Sequence, residues 1–194
     1  MLIREDGVNL LFEAAADIGR FFDSKGWRYC IIGGLAVQRW GEPRTTQDVD
    51  LTLLTGFGNE ETFAREILTH YAPRISTALE FSLRSRVLLI TMPNGAAVDV
   101  AFGALSFEEE MLARAVNFEF APGLILPMCT AEDLLVSKAF AGRPHDWSDI
   151  EGIIKRQGKR LDHPYIFRQL ELLCALKEDD EIIPRVKGLL KVKK

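Results

Sequence analysis

The apolar positions between residues 8 and 24 fall at Leu10, Leu11, Ala14, Ala15, Ile18, Phe21 and Phe22. That recurrence lines one helix face, and Gly26 marks its stop. The run 27–32 is rich in strand-forming residues and ends at Gly33-Gly34, which predicts a strand. A short helix is expected over 35–40, closed by Gly41 and Pro43, then a strand over 49–54 that carries Asp48 and Asp50 at its start. Residues 59–72 have helical spacing, with Asn59 as the expected N-cap. Residues 80–91 and 96–102 predict the arms of a hairpin about the turn Met92-Pro93-Asn94-Gly95. Beyond it the pattern predicts a helix at 106–115, two extended pieces around 117–127, and then helices alone, at 130–141, 147–157, 163–177 and 181–190. Thr130 with Asp133 opens the first of these as a capping box.

This order predicts an α+β fold with a small mixed sheet flanked by helices and a C-terminal helical subdomain. Strand signals stop near residue 128, so a core over 1–128 and a helical part over 129–194 are expected. The 194 residues, 47% hydrophobic and 27% charged, suffice for a core without disulfide or metal staples. The cysteines Cys30, Cys129 and Cys174 are odd in number and scattered, which argues against a disulfide framework or a zinc site. The start Met1-Leu2-Ile3-Arg4-Glu5-Asp6 is too acidic for a signal peptide, and no apolar run approaches a membrane span, so a cytoplasmic location with no membrane partner is expected.

Charge changes the picture only when it is resolved along the chain. With 24 basic and 28 acidic residues the net is −4, which excludes coating of nucleic acid by charge alone. Residues 1–154 hold 13 basic and 22 acidic side chains, a net of −9, whereas 155–194 hold 11 and 6, a net of +5. An acidic body therefore carries a basic end, and that end, including Lys191, Lys193 and Lys194, is the surface a polyanion would meet.

The candidate chemistry lies in the acidic body. On a strand, Asp48 and Asp50 share one face, with Val49 on the other. Two carboxylates on one face repel unless a cation lies between them, and an all-oxygen donor set suits Mg²⁺ or Mn²⁺. Asp99, inside the apolar run Ala97-Val98-Asp99-Val100-Ala101, needs a partner and would complete a three-carboxylate site beside the 49–54 strand. Such a site can hold two metals for in-line phosphoryl transfer. Gly33-Gly34, between a strand and a short helix, can bring backbone N–H groups up to a phosphate. Alone each motif is weak; the ordered set of strand, Gly-Gly, short helix, Asp-x-Asp strand and later strand Asp is specific.

This set resembles the nucleotidyltransferase superfamily that includes polymerase β. Within it, Gly33-Gly34-Leu35-Ala36 and Arg44-Thr45-Thr46-Gln47-Asp48-Val49-Asp50 most resemble the AbiEii-type nucleotidyltransferase toxins of bacterial toxin–antitoxin pairs. The segments 132–140 and 143–150 are similar, more loosely, to the C-terminal Lys and Arg-x-x-Asp motif of those proteins. The resemblance implies that Asp48, Asp50 and Asp99 are catalytic metal ligands, with Asp99 also the general base. It implies nucleotide-binding positions at Gly33, Gly34, Arg44, Thr46, Lys138 and Asp146. Arg44 is expected on a phosphate or as a brace of the Asp-x-Asp loop, Thr46 chiefly as a brace, and Asp146 as the partner of Lys138 or as a helix N-cap. Gly34 stands where many members have Ser, so backbone contacts must serve there. His70, His145 and His163 have no partner pattern and are expected on the surface.

The activity implied is Mg²⁺- or Mn²⁺-dependent transfer of a nucleoside monophosphate from an NTP to an acceptor hydroxyl. The acceptor would be the 3′ end of a tRNA or another RNA, with a cognate antitoxin as a partner. The alternatives are a small-molecule, antibiotic or protein acceptor, or a nucleotide-binding module without turnover.

Overall fold

The computed structural model describes residues 9–191. The acidic start of the chain and the tail residues Lys193 and Lys194 lie outside the described residues.

The chain opens with α1 (Leu10–Ser24), whose N-cap Asn9 accepts the Leu11 N–H at 3.0 Å. It continues through β1 (Tyr29–Ile31), α2 (Gly33–Trp40), β2 (Asp48–Leu54), α3 (Glu60–Leu68), β3 (Ala72–Pro73), α4 (Ala78–Ser85), β4 (Val87–Thr91), β5 (Ala97–Gly103), α5 (Ser106–Arg114), β6 (Val116–Ala121) and β7 (Leu124–Met128). Then come α6 (Ala131–Ala141), α7 (Pro144–Gln157), a 3₁₀ turn (Gly158–Arg160), α8 (His163–Lys177) and α9 (Ile182–Lys191).

Three elements depart from expectation. The first arm of the hairpin begins only at Val87, because 78–85 is helical: Ala78 and Ser82, four apart, are buried, and Arg86 at φ 58° ends the helix. The helix expected over 59–72 stops at Leu68, and the chain turns into the edge strand β3. Asn59 does not cap it by side chain; its amide donates to the Thr55 carbonyl at 3.2 Å. Helix α7 begins at Pro144, where proline's fixed φ and missing N–H suit a first turn.

Among the described residues the strands form one mixed sheet of seven, in the order β3-β4-β5-β2-β1-β7-β6. β2 runs parallel to β5, and β1 parallel to β7; the other pairs are antiparallel. Strand alternation sorts the residues onto two faces. Val49, Leu51 and Leu53 of β2, Leu88 and Ile90 of β4, and Val98, Val100 and Phe102 of β5 are buried against Leu11, Ala15, Ile18 and Phe22 of α1, with Ile67 of α3 and Ala78 of α4 in the same core. Burying such side chains stabilises the fold by about 1.5–3 kcal/mol each. The opposite face at β4, β5 and the start of β2 is half-buried, and it carries the acidic residues.

The chain divides into two compact units. One comprises the described residues of Met1–Leu35 with Thr45–Met128; the other comprises Ala36–Arg44 with the described residues of Cys129–Lys194. In the second unit α6, α7, α8 and α9 pack on one another. The segment Ala36–Arg44 is tied to it by Trp40 Nε1 on the Cys129 carbonyl at 2.9 Å, and by Arg156 on the carbonyls of Gln38 and Gly41 at 3.0 and 2.8 Å. No described helix is long and apolar enough to cross a membrane.

Candidate active site

β2 and β5 run parallel with Asp50 directly opposite Asp99 and Asp48 opposite Ala97. Equal register on neighbouring strands places Asp50 and Asp99 on one face, and the two-residue period adds Asp48 to it. One carboxylate oxygen from each of the three lies within 4.8 Å of the others. All are half-buried. The donors are hard oxygens only, the ligand type that Mg²⁺ and Mn²⁺ take. The residues present therefore fit Mg²⁺ or Mn²⁺.

Supporting groups hold this face together. Thr46, buried, donates from Oγ1 to Asp48 Oδ1 at 3.1 Å. The Gly34 N–H donates to Asp50 Oδ2 at 3.3 Å. Burial pushes the Asp99 carboxyl above the ordinary range; Arg74 opposes that shift and the neighbouring Asp48 adds to it. Arg74 Nη2 lies 2.6 Å from Asp99 Oδ1.

The two glycines have a steric reason to be glycine. Gly33 has φ 59°, and a Cβ there would stand 1.9 Å from Asp50 Oδ2. At Gly34 a Cβ would stand 2.1 Å from Thr46 Oγ1. The backbone thus approaches the carboxylates as closely as the chain permits. Gly33→Ala is expected to displace Asp50 and to lower any metal-dependent turnover by roughly a hundredfold, the cost of misplacing a reacting group by about 1 Å. Steady-state rates beside far-UV circular dichroism check this.

The second unit gathers the other predicted residues into a charge network. Lys138, on α6, is 6% exposed, and its Nζ lies 3.0 Å from Asp146 Oδ1 and 2.8 Å from Asp149 Oδ2. Asp146 is the third residue of α7 and not its N-cap; its carboxylate accepts the Arg143 N–H at 3.2 Å and Arg143 Nε at 2.7 Å. Arg44 forms a two-pronged pair with Asp149, Nε to Oδ1 at 2.9 Å and Nη2 to Oδ2 at 3.1 Å. Thr46 makes a hydrogen bond that braces Asp48. Asp149 was within reach of sequence reasoning, since Asp146 and Asp149 are three apart and share a helix face. Of the histidines, His70 and His145 are exposed and His163 is half-buried.

Burial opposes ionisation of Asp146 and Asp149, yet hydrogen bonds from Arg143, Arg44 and Lys138 outweigh it and hold both carboxyls below the ordinary range. A depressed folded-state value contributes stability above the unfolded value of about 4, and that contribution is lost as pH falls through the folded values. Urea titrations are expected to give a stability loss below about pH 4 that is smaller in Asp146→Asn. An equal acid loss in that variant would contradict the assignment.

Three basic side chains of the C-terminal end contact neutral groups while staying exposed. Lys177 donates to the Phe140 carbonyl, Arg160 to the Arg156 carbonyl, and Arg185 lies over the Trp147 ring at 3.8 Å.

No protein-family model and no curated protein matches the chain. Solved structures do. An antigenic nucleotidyltransferase-like protein from Paracoccidioides brasiliensis is 17% identical, with 98% of this chain and 95% of that one covered, at a TM-score of 0.50. The lincomycin-bound lincosamide antibiotic adenylyltransferase LnuA is 11% identical, over 75% of this chain and 96% of that one, at a TM-score of 0.48. The antibiotic-resistance factor ANT(2'')-Ia is 15% identical, over 91% and 95%, at a TM-score of 0.48. The first of these likenesses shows the fold: the chain is folded as a nucleotidyltransferase-like protein.

Proposed function

We propose that the protein is a divalent-metal-dependent nucleotidyltransferase that moves a nucleoside monophosphate from an NTP to an acceptor hydroxyl. The observation that carries this reading is the convergence of Asp48, Asp50 and Asp99 on one sheet face beside Gly33-Gly34, within a nucleotidyltransferase-like fold. Asp48 and Asp50, with Asp99, would hold Mg²⁺ or Mn²⁺. When bound, the metal would neutralise triphosphate charge and stabilise the attacking and leaving oxygens. Thr46 orients Asp48, and the Gly34 N–H orients Asp50. Asp99 takes the proton of the acceptor hydroxyl. The acceptor oxygen then bonds to the α-phosphorus as the bond to the β-phosphate oxygen breaks, and pyrophosphate leaves. Arg44, Lys138 and Asp146 are assigned to nucleotide binding on the motif alone, with Lys138 and Asp146 acting through the network that holds Arg44.

The resemblance of the Arg44, Thr46, Asp48, Asp50 spacing to AbiEii-type toxins implies the 3′ end of a tRNA as acceptor. A cognate antitoxin and a cytoplasmic location belong to that reading. A small hydroxylated molecule or a protein side chain is the second acceptor reading, since the carboxylate face and its glycines do not depend on the acceptor. Incubation with α-labelled NTPs, Mg²⁺ and, in parallel, total tRNA, a panel of hydroxylated small molecules or the protein alone separates these acceptors. Label transferred in any arm and lost on chelation supports the enzyme; NTP binding without transfer in every arm contradicts it. Growth arrest on induction, absent for Asp48→Ala, supports the toxin reading, and unimpaired growth with wild type counts against it.

A further inference from the structure

We propose that Arg74 is a resident counter-cation of the carboxylate site, paired with Asp99 in the metal-free protein and competing with the incoming divalent ion for it. The inference rests on the metal-binding reading above and deepens it.

Sheet register puts Arg74 there. β3 pairs with β4 through Ala72–Thr91 and Pro73–Ile90, and the Arg74 N–H continues the ladder to the Leu89 carbonyl at 3.0 Å. Leu89 in turn lies opposite Asp99, and Asp99 opposite Asp50. Arg74, Leu89, Asp99 and Asp50 therefore form a row across four strands, and residues in such a row share a face. From the outer end the Arg74 side chain reaches past Leu89 to place Nη2 2.6 Å from Asp99 Oδ1. That oxygen is buried, and the Arg74 guanidinium beside it offsets its charge. The pair is only partly screened from water, with 31% and 25% of the two side chains exposed.

The physical consequence follows from Coulomb's law. Three carboxylates within 4.8 Å repel one another, and burial makes the charge on Asp99 costlier still. Arg74 lowers that repulsion in the metal-free protein. A divalent ion that takes Asp99 as a ligand meets the Arg74 charge beside the same carboxylate, so Arg74 lowers metal affinity while offsetting the repulsion among the three acids. Arg74 is in this sense a positioning residue, acting through Asp99.

The test is Mn²⁺ affinity, read by electron paramagnetic resonance of the free ion in titrations of wild type, Arg74→Gln, Asp99→Asn and the double variant, with folding checked by circular dichroism. Arg74→Gln is expected to bind Mn²⁺ roughly three- to tenfold more tightly than wild type, the range a partly exposed ion pair can contribute. In the Asp99→Asn background the same change should alter affinity by less than about twofold, because the pair is already gone. Arg74→Lys keeps one charge and should fall between wild type and Arg74→Gln, so it carries the test if the Gln variant is unstable. Unchanged or weaker Mn²⁺ binding in Arg74→Gln and Arg74→Lys, beside clear binding by wild type, overturns the counter-cation role and leaves the metal site standing. Absence of Mn²⁺ binding by wild type overturns both.

Discussion

Asp50→Asn is expected to abolish nucleotidyl transfer, by at least about a thousandfold, while leaving the protein folded; the loss corresponds to the ~4 kcal/mol of transition-state stabilisation that a metal clamp supplies. Asp50 occupies the centre of the site. It lies opposite Asp99 in the sheet register, two residues from Asp48 on the same face, and accepts the Gly34 N–H. Asn keeps the size and one oxygen but removes the charge, so the cation loses a ligand and repulsion among the carboxylates falls. The metal-free variant should therefore be at least as stable as wild type while its turnover is lost. Activity and thermal denaturation measured together separate this outcome from simple misfolding. A folded Asp50→Asn protein with near-normal transfer would remove the carboxylate face from the mechanism.

Lys138→Met carries the largest expected effect on stability. It keeps most of the side-chain volume but leaves Asp146, fully buried, and Asp149, 6% exposed, without their shared ammonium. Removing one partner from a buried ionic set typically costs 3–5 kcal/mol. Arg143 still bonds Asp146 and Arg44 still bonds Asp149, so a loss of ~3 kcal/mol, near the low end, is expected in urea denaturation. In Lys138→Met with Asp146→Asn the loss should shrink, because one stranded charge is gone. Additive losses would mean that the lysine acts by packing alone.

These two sites were not equally legible in the sequence. The carboxylate face was, because strand period and the Asp-x-Asp spacing act locally, and because Asp99 is conspicuous inside an apolar run. Its supporting cast was only partly so. Thr46 could be read as a brace, but the hydrogen bond to Asp48 depends on the loop's path. Arg74 left no sequence signal: its contact with Asp99 arises from the order β3-β4-β5-β2, which no local pattern encodes. The Lys138 network was half visible, with Asp146 named and Asp149 passed over. The fold shows the same division. α1, β2 and the helices after residue 130 follow from periodicity and caps. The strand pattern at 80–91 overlaps the helix Ala78–Ser85, which is short and borders the apolar run Val87–Thr91. Residues Ala36–Arg44 belong by packing with the C-terminal helices, a long-range association that no composition shift announces.

The most direct test of the central claim is a crystal structure with a non-hydrolysable nucleoside triphosphate and Mn²⁺, read by anomalous scattering. The account predicts Mn²⁺ coordinated by Asp48 and Asp50, with the triphosphate against Gly33 and Gly34. Triphosphate bound elsewhere, or no Mn²⁺ on this carboxylate face at saturating metal, would contradict it.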